Sequence, residues 1–198
     1  MWGGRLESVA DAVAAIANVR TGASRLVVLD MGSGGGWAAR YMRGADVIAI
    51  DLVDAPSRAE VLRVRGDMRR LPLRDAIADV AFFAASLHYA PIGETIRETA
   101  RVLRPGGLVV AVDSPMYRDR NAQTRAQARS TAYYAAAGFP DLAQNYHPIE
   151  VSSLRTSLDA ANFEILRLDE GRAGRLGWLA GRRHRHSSFL EATLKPST

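Results

Sequence analysis

The chain has 198 residues, 47% hydrophobic and 24% charged, a composition that supports a packed core and excludes intrinsic disorder. No apolar run approaches the ~18 residues of a membrane span, and no charged-then-apolar leader opens the chain. Cysteine is absent, which removes disulfides, thiolate metal sites and a cysteine nucleophile together. The net charge of +5, almost wholly from scattered arginines, is not accompanied by an aromatic platform for single-stranded nucleic acid. These features predict one cytoplasmic domain over residues 1–198, with no membrane partner, no metal and nucleic acid disfavoured.

Leu6, Val9, Ala10, Val13, Ile16 and Ala17 recur at helical spacing and predict a helix ahead of the first strand. Residues 25–30 read as a buried strand running into Met31-Gly32-Ser33-Gly34-Gly35-Gly36. Glycines let a backbone take positive φ and approach a ligand closely. The next stretch, 37–42, is helix-compatible, so free amides would face the turn. Residues 46–51, ending in Asp51, and 61–65 read as the next strands. The link between them contains Pro56 and is too short for a full helix. A strand at 79–84, a helix at about 92–103 and a strand at 107–113 follow. Their near-continuous apolar runs suit strands covered on both faces. Segment 114–150 holds Tyr117, Tyr133, Tyr134, Phe139, Tyr146 and His147, around a helix-compatible stretch from Arg118 to Ala137 that Gly138 and Pro140 end. Ser152-Ser153 caps a helix carrying Leu154, Leu158 and Ala161, and strands at 163–168 and 188–194 complete the pattern. The Gly- and Arg-rich stretch at about 170–186 is predicted to be a mobile loop, and its His184 and His186 lack a third metal ligand.

Strands alternating with helices imply an α/β doubly wound parallel sheet. Ligands of such sheets sit at the carboxyl ends of the strands, at the switch point. Asp30, Asp51, Asp67 and His88 all fall on that rim.

Spacing separates the possible ligands of the glycine turn. A dinucleotide fingerprint starting at Gly32 needs Gly or Ala at 37, where the chain has Trp37, and no Gly-Lys-Ser/Thr follows to make a P-loop. The pattern present is acid-x-Gly-x-Gly-x-Gly, from Asp30 through Gly32 and Gly34 to Gly36. It resembles motif I of the class I S-adenosylmethionine (SAM) dependent methyltransferases. Asp46-Val47-Ile48-Ala49-Ile50-Asp51 resembles that family's second strand, whose final acid accepts the two ribose hydroxyls. Arg65-Gly66-Asp67-Met68-Arg69-Arg70-Leu71-Pro72 resembles its adenine segment, where an Asp takes the adenine amino group and the next backbone N–H reaches a ring nitrogen. Arg101-Val102-Leu103-Arg104-Pro105-Gly106-Gly107-Leu108-Val109-Val110 resembles its turn into strand five. The resemblance runs over about residues 25–113.

It implies a Rossmann-like, seven-stranded, mostly parallel sheet whose last strand inserts antiparallel beside strand five. It implies SAM as methyl donor and S-adenosylhomocysteine (SAH) as product. Donor contacts would come from Asp30, Gly32, Ser33, Gly34, Gly36, Asp51, Leu52, Asp67, Met68 and Ala84. The acceptor would approach His88 and Tyr89 after strand four, under a helical lid-like insertion at 114–150. Three roles stay open. Asp30 either braces the glycine loop or meets the donor's amino group through water. His88 either packs or takes a proton near neutral pH. The aromatics of 114–150 belong either to a lid or to the core. Ala84-Ala85-Ser86-Leu87-His88-Tyr89 lacks the Asn/Asp-Pro-Pro-Tyr/Phe of enzymes that methylate DNA amino groups. The expected reaction is therefore O-, N- or C-methylation of a small molecule. An RNA or protein methyltransferase, or a SAM-binding protein without transfer, are the alternatives.

Overall fold

The computed structural model describes residues 2–19, 25–54, 61–170 and 188–196. Residues 55–60 of the Pro56 link and the Arg/His cluster at 182–186 lie outside the described residues, as does all but Glu170 of the predicted loop at 170–186. The helices are α1 (Trp2–Ala17), α2 (Ile92–Val102), α3 (Arg120–Ala136) and α4 (Val151–Ala160), with short 3-10 turns at Trp37–Tyr41, Leu87–Tyr89 and Pro140–Asn145. The strands are β1 (Val27–Met31), β2 (Asp46–Asp51), β3 (Leu62–Arg65), β4 (Ala78–Ala84), β5 (Leu103–Val112), β6 (Met116–Tyr117), β7 (Ile149–Glu150), β8 (Phe163–Asp169) and β9 (Phe189–Leu194).

Seven strands form one sheet in the order β3-β2-β1-β4-β5-β9-β8. The β3-to-β5 half is parallel, while β9 runs antiparallel to both β5 and β8. This is the doubly wound sheet with an antiparallel last strand that the sequence predicts. Order reverses between β1 and β4, which opens the crevice at their carboxyl ends.

Alternation within the strands sends side chains to two cores. Leu29, Met31 and Phe83 pack with Ile96, Leu154 and Leu158 of α2 and α4 on one face. Val28, Val80, Phe82 and Val110 meet Val9, Ala12 and Ile16 of α1 on the other. Both faces of β4 and of the carboxyl half of β5 are therefore covered, which is why those stretches read as unbroken apolar runs.

Four boundaries differ from the sequence reading, the first being α4, which starts at Val151 after Glu150, so that Ser152 and Ser153 lie inside its first turn instead of capping it. The helix expected at 37–42 is a single 3-10 turn. It starts at Gly36 in the left-handed region (φ 70°) and ends before Gly44 (φ 86°), which turns the chain into β2. β5 begins at Leu103 rather than 107. Leu103 pairs with Ala78, and the ladder resumes at Val80 and Leu108, so Arg104-Pro105-Gly106-Gly107 bulges inside the strand. α3 starts after Asp119, whose carboxylate accepts the Ala122 amide at 2.8 Å. The two-residue pair β6 and β7, which closes segment 114–150 at its base, carries no periodic signal in the sequence.

Candidate functional site

β1 ends in a loop whose glycines each meet a specific demand. Gly32, Gly34 and Gly36 have φ of 69°, 53° and 70°, which side chains disfavour. A Cβ on Gly32 would stand 2.6 Å from Cβ of Ser86, whereas the space beside Gly34 is open for 4 Å. Gly32 thus closes the loop onto the end of β4, and Gly34 presents bare backbone. Ser86 is buried and donates to the Met31 carbonyl. Met68 is half-buried and reaches the same corner, its Cε 3.5 Å from the Gly32 Cβ position.

β2 delivers Asp51 beside the loop. Its Oδ2 accepts the Gly34 amide at 2.7 Å and its Oδ1 accepts the Val53 amide at 3.0 Å. Each oxygen keeps a lone pair, so two further donors such as vicinal hydroxyls could be taken. Asp30 lies underneath, 1% exposed, and its Oδ2 has no partner; neither has the buried Oγ of Ser33. Burial, then Asp51, push the Asp30 carboxyl up to about 7 against a counter-pull from Arg63. Unsatisfied buried polar atoms are costly, and a cation arriving at Asp30 would relieve that cost.

Asp67 differs from Asp51. It sits in the loop after β3, and Arg69 clamps it with its amide and with Nε and Nη2, so each carboxylate oxygen already accepts two bonds. The clamp holds its carboxyl below the usual range. An adenine amino group arriving here has to share or displace Arg69. Leu52 is exposed and Ala84 half-buried, both at strand ends on the same rim.

The acceptor-side expectations fall on one aromatic group. His88 is 6% exposed, and its ring lies 4.4 Å from that of Tyr89 and 5.3 Å from that of Tyr146. The hydroxyls of Tyr146 and Tyr117 are 3.4 Å apart, and the His147 amide donates to the His88 carbonyl at 2.8 Å. The ends of segment 114–150 are thereby fastened to the end of β4. Tyr133 and Phe139, by contrast, are exposed at 69% and 62%, so they are not core residues. Burial lowers the His88 pKa to about 4. The expectation that His88 changes charge near neutral pH is therefore corrected: it is a neutral imidazole there, with a buried Nδ1 that has no partner. Among the described residues no three His, Cys, Asp or Glu cluster as metal ligands, and no helix is long and apolar enough to cross a membrane.

Arg63 and Ser86 were not singled out as site residues in the sequence, and Tyr117 and Tyr146 stood there only among the aromatics of segment 114–150. Arg63 reads there as a strand arginine and Ser86 as a polar residue without a motif. A separate open cavity of about 560 Å³ lies at the opposite, amino-terminal edge of the strands, lined by Arg25, Val27, Asp46, Leu62 and Arg104 among others. The unpartnered atoms and the bare glycine backbone are at the carboxyl rim, where ligands of such sheets bind, so the candidate site is there.

Residues 29–111 match the methyltransferase domain family. The chain is 37% identical over 90 residues to an uncharacterized methyltransferase of Mycobacterium tuberculosis, a match covering 40% of this chain and 36% of that protein. It is 37% identical over 103 residues to ribosomal RNA-processing protein 8 of Rattus norvegicus, covering 52% of this chain and 21% of that one. The chain thus spans about a third or less of the length of these relatives. Its fold is that of a Burkholderia thailandensis 1,6-didemethyltoxoflavin-N1-methyltransferase solved with its substrate and SAH, with a TM-score of 0.62, 21% identity, and coverage of 98% of this chain and 79% of that one. Residues 29–111 are thus similar to the methyltransferase domain family, and the fold around them is one that SAM-dependent methyltransferases share.

Proposed function

We propose that this chain binds SAM at the β1–β2 rim and transfers its methyl group to an O, N or C atom of a small-molecule acceptor held at the His88 end. The observation that carries the reading is the pairing of two acids around bare glycine backbone: Asp51 with a lone pair left on each oxygen, and Asp30 with a buried oxygen that has no partner. These groups suit a ribose diol and an ammonium. The donor-contact set is Asp30, Gly32, Ser33, Gly34, Gly36, Asp51, Leu52, Met68 and Ala84, with Asp67 joining once it shares its bonds with Arg69.

When bound, SAM supplies a sulfonium methyl that is already activated for in-line displacement. The residues then have to hold the acceptor in line and keep water away. Segment 114–150 serves as a lid, fastened at its base through Tyr117, Tyr146 and His147 and exposed at Tyr133 and Phe139. His88, neutral and with a free Nδ1, accepts a hydrogen bond or a proton from an acceptor OH or NH, while Tyr89 and Tyr146 offer ring faces to a flat acceptor. The bound compound in the Burkholderia enzyme is in keeping with such an acceptor.

Titration calorimetry with SAM, SAH and NAD is the test. The reading requires both sulfur compounds to bind and NAD not to. Asp51→Ala should weaken them about tenfold or more while remaining folded, because two charge-assisted hydrogen bonds are lost. A folded Asp51→Ala protein with unchanged affinity would remove Asp51 from the site. The ribosomal RNA-processing relative favours one second reading, an RNA acceptor. Steeply salt-dependent RNA binding would support it.

A further inference from the structure

The Gly34 peptide is held from both neighbouring strands. Its amide donates to Asp51 on β2, and its carbonyl accepts from Arg63 Nη2 of β3 at 3.0 Å. β3 is two strands away from β1, so Arg63 crosses beneath the loop from the sheet edge, its register partner on β2 being the small Ala49. The other terminal nitrogen, Nη1, is buried and has no partner. Burying a guanidinium with one nitrogen unpaired opposes folding, so a single hydrogen bond to a carbonyl is a poor reason for its placement. Its charge supplies a better one. The charged side chains facing Asp30 are Asp51 from β2 and Arg63 from β3 among the described residues, and Arg63 offsets the other acid.

We propose that Arg63 is a positioning residue of the donor site: it fixes the Gly34 peptide so that the Asp51 contact is preformed, and it keeps a positive charge across from Asp30 so that this carboxylate meets the donor's ammonium as an anion. This rests on the reading of the glycine loop as the SAM site. Arg63 itself touches neither the methyl group nor the acceptor.

The test is SAH binding by calorimetry between pH 6 and pH 9, with thermal melting in parallel, for the wild type, Arg63→Met and Arg63→Lys. Arg63→Met should bind about tenfold or more weakly at pH 7. Its rise in affinity with pH should also shift upward, because Asp30 then holds its proton to higher pH. Arg63→Lys keeps the charge and loses the forked geometry, so its binding should weaken several-fold with the pH midpoint near that of the wild type. A strut of purely structural effect would lower affinity in step with melting temperature and leave the midpoint of Arg63→Met in place, which overturns the proposal. Wild-type affinity in a folded Arg63→Met protein overturns it equally. If Arg63→Met does not fold, Arg63→Lys decides, and unchanged affinity there is fatal. Failure of the wild type to bind SAH is a different result: it removes the donor reading itself.

Discussion

His88 shows how one residue's surroundings change its chemistry. Exposed, its imidazole would titrate near 6.5; buried against Tyr89 and Tyr146 it does so at about 4. A base with that pKa stays in its working form throughout the neutral range. If His88 accepts the acceptor's proton, kcat at saturating donor should hold down to about pH 5 and fall only as the pH approaches 4. In the proposed reaction Asp30 acts earlier, in the free protein. Its anion is what a cationic donor needs, so kcat/KM for the donor should fall as pH drops through about 7. Separated acid limbs in the two profiles are the expected outcome, and coincident limbs would place both effects on one group. His88→Ala should lower turnover by about a hundredfold while leaving SAH affinity near normal. Activity that falls only with the folded fraction would make it a packing residue.

At the level of elements, α2 holds the loop between β3 and β4 in place. Glu98 of α2, 8% exposed, accepts the Leu71 amide at 2.6 Å. Arg101, one turn on, binds Glu98 and Asp75 and the carbonyls of Leu71 and Leu73. Glu98 is kept below the usual carboxylate range by that arginine first and the Leu71 amide after it. Removing Arg101 leaves a buried carboxylate with one partner and a loop without its anchor. Arg101→Met should destabilise the protein by about 2 kcal/mol, the full cost of a buried pair being discounted because Arg101 is partly exposed. Denaturant melts of Arg101→Met and of the double variant Arg101→Met/Glu98→Gln measure this, with the double variant recovering part of the loss. The same loop carries Asp67 and Met68, so SAH binding should weaken in Arg101→Met as well.

Across the whole molecule, two buried groups bend the stability–pH curve in opposite senses. Asp30 takes its proton at about 7 when folded and near 3.8 when unfolded, so the folded state binds more protons between those values and stability falls as pH rises through them. His88 is depressed from 6.5 to about 4, so the unfolded state binds more protons there and stability rises with pH across that window. Ligand-free Asp30→Asn should therefore melt above the wild type at pH 7–8, with the two curves converging toward pH 4, while its affinity for SAH falls. A melting difference independent of pH would mean that Asp30 is ionised throughout. The frame of the molecule was open to reading along the chain, because buried strands, helix spacing and the run Asp30-x-Gly32-x-Gly34-x-Gly36 are local patterns, and a local pattern survives in one dimension. Asp51 was legible for the same reason, as the acid ending an apolar strand. The 3-10 turn after the glycines and the bulge in β5 were not, since propensity cannot foresee how the ladder resumes beyond a turn. Nor could the chain order reveal that Arg69 occupies Asp67, that burial takes the His88 titration out of the neutral range, or that Arg63 of an edge strand reaches Gly34. Those facts depend on charges and volumes brought together from distant parts of the chain, and Coulombic and desolvation effects act through space rather than along sequence.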